Sequence, residues 1–167
     1  MKKLLNNMIR KPTIQDAPAI ADIYNHYIAE TVVTFETKPL TVEQMGDRIA
    51  QLMFSFPYFV YEEDGKVLGY CYAHPWKERA AYSRSWETSV YVDASAQRRG
   101  IASALMKVLI EACRKEEVHA LIACLTEPNE PSAALHRKLG FVKVSHFKEV
   151  GWKFGRWLDV ADYELIL

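Results

Sequence analysis

Ser89-Val90-Tyr91-Val92-Asp93-Ala94-Ser95-Ala96-Gln97-Arg98-Arg99-Gly100-Ile101-Ala102-Ser103-Ala104-Leu105 carries an apolar strand through a short polar loop into a long amphipathic helix. A helix start offers unpaired N–H groups and partial positive charge, which suit a phosphate. Gly100 lets the backbone approach a ligand that a β-carbon would hold off. Ala102 is small where a second close approach would fall, and Arg98 and Arg99 add positive charge. The stretch therefore points to a phosphate-bearing ligand at this turn. Its bland alternative is a solvated loop before a helix.

The pattern Gln97-x-x-Gly100-x-Ala102 behind Val90-Tyr91-Val92 resembles the acyl-CoA pyrophosphate loop of the GNAT N-acetyltransferases. Four more segments extend the resemblance to the phosphinothricin and methionine sulfoximine branch of that family. They are Tyr24-Asn25 with Thr34-Phe35-Glu36, Glu87-Thr88-Ser89, Asn129 through Gly140-Phe141, and Gly151 through Val160. The similarity runs from about Ile9 to Leu167. It implies a GNAT fold: an α/β chain with a mixed, mostly antiparallel sheet, helices on both faces and a V-shaped cleft between two central strands.

Composition is consistent with that. The 167 residues suit one domain with a sizeable core, and half of them are hydrophobic. Lys plus Arg and Asp plus Glu are 21 each, which argues against a nucleic-acid binder. Cys71, Cys113 and Cys124 lack a metal-ligand spacing and fit a reduced, cytoplasmic protein, with no metal expected. Cys71 and Cys124 stand in apolar runs and read as core thiols rather than nucleophiles. Residues 1–7 read as a flexible extension, because Arg10 and Lys11 follow before any signal-peptide core can form. No apolar run is long enough to span a membrane. Residues 8–167 then form the single domain.

Spacing predicts a strand from Met8 to Pro12 and a helix from Thr13, with Ile20, Ile23, Tyr24, Tyr27 and Ile28 on one face. Thr41-Val42-Glu43-Gln44 reads as a capping box opening a second helix to about Met53. Asp64-Gly65 reads as a hairpin turn between two strands. Arg84 to Val92 is predicted as a strand, Arg98 to Glu117 as the long helix, His119 to Leu125 as a strand and Ser132 to Leu139 as a short helix. Phe141 to Lys148 and Trp157 to Leu167 are predicted as a closing pair of strands around a polar loop. The expected order is β-α-α-β-β-β-α-β-α-β-β.

Acetyl transfer to an amine needs a neutral nitrogen, so a proton must leave the ammonium. Glu87 is the candidate base: a glutamate is out of place in an apolar strand, and it precedes the phosphate loop by about ten residues. The resemblance assigns it that role; a solvent-facing edge glutamate is the alternative. His136 is the second catalytic candidate, because the resemblance sets it near the CoA sulfur; a capping or packed histidine is the alternative. The resemblance further implies that amides of Gln97, Arg98, Arg99, Gly100, Ile101, Ala102 and Ser103 hold the pyrophosphate of acetyl-CoA. Val90, Tyr91 and Val92 would pair with its pantetheine arm, and Asn129 and Ser132 would bond to that arm. Tyr91 corresponds to a thiolate acid in some relatives, though strand tyrosines commonly serve packing.

The acceptor implied is a small amino-acid-like amine with a carboxylate. A carboxylate favours a bidentate arginine. Arg79 and Arg84, flanking Ala81-Tyr82, are the candidates, and Phe35, Tyr82 and Trp76 are candidate pocket walls. Two other readings stay open: a non-catalytic acyl-CoA binding module, and an acetyltransferase acting on a protein amine. The segment Trp152 to Val160 resembles one that closes a small-substrate site, and its aromatic residues are consistent with a homodimer.

Overall fold

The computed structural model describes residues 7–167. Along the chain run β1 (Asn7–Arg10), α1 (Ala17–Glu30), α2 (Val42–Met53), β2 (Tyr58–Glu63), β3 (Lys66–Pro75), β4 (Ser85–Val92), α3 (Ile101–Lys115), β5 (Ala120–Glu127), α4 (Glu130–Lys138), β6 (Val142–Lys143), β7 (Phe147–Lys153) and β8 (Arg156–Ile166). Asn7 is already in β1, where it pairs with Glu63, so the expected extension is shorter by one residue; residues 1–6 lie outside the described part.

The sheet order is β1-β2-β3-β4-β5-β8-β6, and β7 also pairs with β8. Every pairing is antiparallel except β4 with β5. Period-two alternation sends strand side chains to two separate cores. Leu68, Cys71 and Ala73 of β3 face α3, meeting Leu105, Met106 and Leu109. Val67 and Tyr70 of the same strand join the other core, with Ile20, Ile23 and Ile28 of α1 and Ile49 of α2. Helices thus cover both faces.

Local chemistry sets several boundaries. Thr41 accepts from Gln44 N, and Gln44 Oε1 accepts from Thr41 N, which closes the expected capping box. Asp64 and Gly65 both have positive φ, as a two-residue hairpin turn requires.

The closing strands differ from expectation. The segment predicted as one strand from Phe141 to Lys148 is two, β6 and β7, both laid on β8. Between them Val144 N donates to Asp162 O, so the chain jogs without leaving β8. The expected polar loop is mostly strand. It contracts to Phe154-Gly155, where both φ values are positive, 52° and 71°. A phenylalanine in the left-handed region is uncommon, which is why the turn does not announce itself.

The sheet splits at one place. Between β4 and β5 the register runs Ser85↔Ala120, Trp86↔Leu121 and Glu87↔Ile122, and stops there. Both strands continue, β4 to Val92 and β5 to Glu127, on their outer partners β3 and β8. The result is the V-shaped cleft in the middle of the sheet. Thr88 reaches across its base with Oγ1 donating to Ile122 O at 3.5 Å.

Candidate active site

The fork opens into a cavity of about 280 Å³. One wall is β4 from Glu87 to Tyr91, and the other is β5 from Ala123 to Thr126. Phe35 and Thr34, from the loop after α1, cover it on one side; Asn129, Ser132 and His136, from the cap and body of α4, line the other.

Glu87 occupies the last paired position of the fork. Its side chain is 26% exposed, and burial raises its carboxyl pKa above the ordinary value. Three neighbours modulate it. The imidazole of His74, directly opposite on β3, stands 3.9 Å away and favours the ionised form. Cys124 of β5 donates a thiol hydrogen bond and acts in the same direction. Asp162 of β8, paired with Cys124, opposes ionisation by its own charge. A carboxylate held partly dry with a raised pKa suits a general base.

This environment corrects the reading of Cys124. Cys71 is buried as expected, but Cys124 is exposed to the cleft. Its side chain alternates to the face of Glu87, where the fork has removed the neighbouring strand that would have covered it. Partial desolvation within the cleft, together with the Glu87 and Asp162 carboxylates, pushes its thiol pKa well up, so it remains a thiol.

The loop after β4 is tied to α1 through one hydroxyl. Tyr27 Oη donates to Val92 O at 2.7 Å and accepts from Gln97 Nε2 at 3.4 Å. Arg98 and Gly100 have φ of 60° and 78°, and Gly100 caps α3. A β-carbon on Gly100 would meet no protein atom within 4 Å, so what this chain itself demands of the glycine is its left-handed backbone. Ile101, Ala102 and Ser103 form the first turn of α3, where the helix leaves backbone amides without intrahelical partners. Arg99 is engaged by Glu63 at 2.6 Å.

His136 lies on the opposite side of the sheet from Glu87. Its ring packs edge-on against Phe141, 5.1 Å between centroids. Nδ1 contacts Ser132 O at 2.8 Å; a carbonyl only accepts, so Nδ1 carries the hydrogen. Burial lowers its pKa, which keeps the ring neutral with the Nε2 lone pair free to accept. Asn129 caps α4, accepting from Ser132 N at 3.3 Å. Tyr91 packs among Tyr24, Tyr27 and Tyr70, and burial holds its hydroxyl protonated.

The arginines expected at the acceptor are elsewhere. Arg84 precedes the first paired residue of β4, behind the closed end of the fork, and faces Glu117 at 3.8 Å. Arg79 and Tyr82 line a separate surface cavity with Lys77 and Glu78. Trp76 meets Tyr82 there, 5.4 Å between centroids. Phe35 is in the cleft as expected. Val160 of β8 also lines it, while Lys153 Nζ donates to Thr31 O and Thr34 O at 2.8 Å, binding β7 to the loop that carries Phe35. Sequence reasoning missed His74, Cys124 and Lys153. The register that brings them to the site comes from strand pairing.

Among the described residues, no cluster of His, Cys, Asp and Glu could hold a metal ion, and no helix is long and apolar enough to cross a membrane.

Comparison with known proteins agrees with this geometry. The acetyltransferase (GNAT) domain matches residues 9–161. A phosphinothricin N-acetyltransferase of Streptomyces coelicolor is 39% identical over 160 residues, covering 93% of this chain and 94% of its own. An L-methionine sulfoximine/L-methionine sulfone acetyltransferase of Salmonella typhimurium is 33% identical, with 91% and 90% covered. The crystal structure of a GNAT-superfamily phosphinothricin acetyltransferase from Sinorhizobium meliloti in complex with acetyl-CoA superposes with a TM-score of 0.93 at 32% identity, covering 96% of this chain and 88% of that one.

Proposed function

The chain belongs to the acetyltransferase (GNAT) family, and from that premise we propose that it transfers the acetyl group of acetyl-CoA to the amine of a small amino-acid-like substrate, with Glu87 as general base. The relatives named for phosphinothricin and methionine sulfoximine support this substrate class. The observation that carries the mechanism is the position of Glu87. It sits at the base of the fork, with its carboxyl facing the cavity that the separated strands enclose.

In this reading the β4 edge from Val90 to Val92 holds the pantetheine arm as an added strand would. Gln97, Arg98, Arg99 and Gly100 through Ser103 offer backbone N–H groups to the pyrophosphate. Asn129 and Ser132 hold the arm from α4. Glu87 takes a proton from the acceptor ammonium, directly or through one water. The amine then attacks the thioester carbonyl, and Tyr91, kept protonated by burial, is placed to give a proton to the leaving thiolate. His136 is on the α4 side and accepts rather than donates, so its role is to orient the arm. Phe35 walls the acceptor side. The exposed aromatics Trp152, Phe154 and Trp157, on the β7–β8 hairpin and its turn, support a homodimer.

The test is release of CoA thiol with a panel of free amino acids, their sulfone and sulfoximine analogues, and peptides with free N-termini. Turnover with the small analogues alone is expected. Binding of acetyl-CoA without turnover would favour a binding module, and turnover with peptides only would move the acceptor to proteins.

A further inference from the structure

We propose that His74 is the proton exit of this site: it receives from Glu87 the proton taken from the acceptor and releases it to bulk water. The proposal rests on the acetyl-transfer reading above. His74 and Glu87 are directly opposed in the antiparallel pair β3–β4, so both side chains leave the same face of the sheet. Their nearest atoms, Nε2 and Oε1, are 3.9 Å apart. That gap is longer than a hydrogen bond and is closed by a small side-chain rotation or one bridging water.

The tautomer is what gives the pair a direction. Nδ1 of His74 lies 3.0 Å from the carbonyl oxygen of Pro75. That oxygen can only accept, so the hydrogen of the neutral ring is on Nδ1. The lone pair is left on Nε2, aimed at the carboxyl group. A base that has just taken a proton thus faces a second acceptor. At 31% exposure the imidazole side chain also reaches water. Among the described residues, the other titratable groups near Glu87 are differently engaged. Cys124 is a thiol with its pKa pushed up, and Asp162 stands behind it on β8. Tyr72, tilted against the His74 ring, is partly buried, and desolvation holds it protonated. Glu36 and Arg48 form an ion pair with each other.

The acceptor ammonium gives one proton to Glu87, which passes it as O–H to Nε2 of His74. The ring then carries hydrogens on both nitrogens and returns the Nε2 proton to water. The N–C bond forms and the C–S bond breaks; Tyr91 gives its proton to the thiolate and is restored by the second proton lost by the nitrogen. One proton leaves per turnover.

The experiment compares wild type, His74→Gln and His74→Ala at fixed pH over a range of imidazole concentrations. Both variants should lose kcat on the order of 10²-fold, the low end for acid–base groups, with KM for acetyl-CoA unchanged. Imidazole should restore the rate of His74→Ala and leave wild type unaffected; a merely structural histidine would give no such rescue. Carbon-13 NMR of the Glu87 carboxyl needs no turnover. Removing His74 removes a group that favours the ionised carboxyl, so Glu87 should titrate at higher pH in both variants. A wild type that uses no amine removes the acetyl-transfer reading and the relay together. An active wild type beside variants of equal, buffer-independent rate removes the relay alone, as does an unchanged Glu87 titration.

Discussion

Phe35 covers Gly151 so closely that a β-carbon on the glycine would overlap the phenyl ring. The contact joins the loop after α1 to β7, and Lys153, two residues on, bonds the same loop through Thr31 and Thr34. Gly151→Ala must therefore displace Phe35, which lines the cleft and walls the acceptor in the proposed reading. The acceptor KM should rise about tenfold, roughly 1.4 kcal/mol, while the KM for acetyl-CoA stays put. Steady-state kinetics with each substrate varied in turn would check it; equal rises in both constants would contradict the placement of Phe35.

Glu87→Gln should cost about 10²–10⁴ in kcat at pH 7, with the loss shrinking at high pH where more acceptor amine is already neutral. The same change should stabilise the fold. A carboxyl whose folded pKa is raised is penalised once it ionises, so its favourable contribution is present below the ordinary value near 4.3 and is lost as pH rises through the raised one. The variant should melt above wild type at pH 7, and the gap should close toward pH 4. Thermal melts across that range decide it, and a variant less stable than wild type at pH 7 would contradict the burial of Glu87.

Much of the frame is legible in the sequence because it rests on local chemistry. The cap at Thr41, the turn at Asp64-Gly65 and the apolar face of Ile20, Ile23, Tyr24, Tyr27 and Ile28 each follow from residues within a few positions of one another. The loop before α3 and the strand carrying Glu87 also lie where spacing predicts them. What is not legible depends on partners distant in the chain. Cys124 reads as a core residue because its run is apolar; only the ending of the β4–β5 register leaves it facing a cavity. Arg84 reads as an acceptor ligand because it is near Glu87 in sequence, yet it stands behind the closed end of the fork. Phe154 hides a turn because its side chain gives no sign of a left-handed backbone.

Arg84→Ala should leave the acceptor KM unchanged and shift stability by less than about 0.5 kcal/mol, as for an ordinary surface site. Its partner Glu117 is just as exposed, so little is lost with the pair. An acceptor KM raised with the acetyl-CoA KM intact would return Arg84 to the site.

Tyr27→Phe removes the hydroxyl shared by Val92 O and Gln97 Nε2. Leaving the buried Val92 carbonyl without this donor should cost about 1–3 kcal/mol of stability. The KM for acetyl-CoA should rise more than that for the acceptor, because the bond holds the end of β4 to the loop proposed to bind the pyrophosphate. Chemical denaturation and two-substrate kinetics give the two readouts.

Trp157→Glu places a charge beside Trp152, its cross-strand neighbour at 4.9 Å between centroids, on the exposed face of the β7–β8 hairpin. If that face joins two copies, the variant should elute as a monomer where wild type elutes as a dimer. Light scattering on the eluting peak measures the mass directly, and a wild-type monomer would dismiss the assembly.

The fork has a consequence for isotope exchange. Amide protons exchange quickly where no partner shields them, which in most domains means termini and loop tips. Here β4 and β5 part in the centre of the sheet, so backbone next to the cores on both faces is reachable by solvent along the seam. Deuterium uptake in the stretch Thr88 to Tyr91 should then slow when acetyl-CoA fills the seam and recover when CoA leaves. Labelling, ordinarily a record of fraying at the periphery, becomes in this protein a gauge of occupancy at its middle.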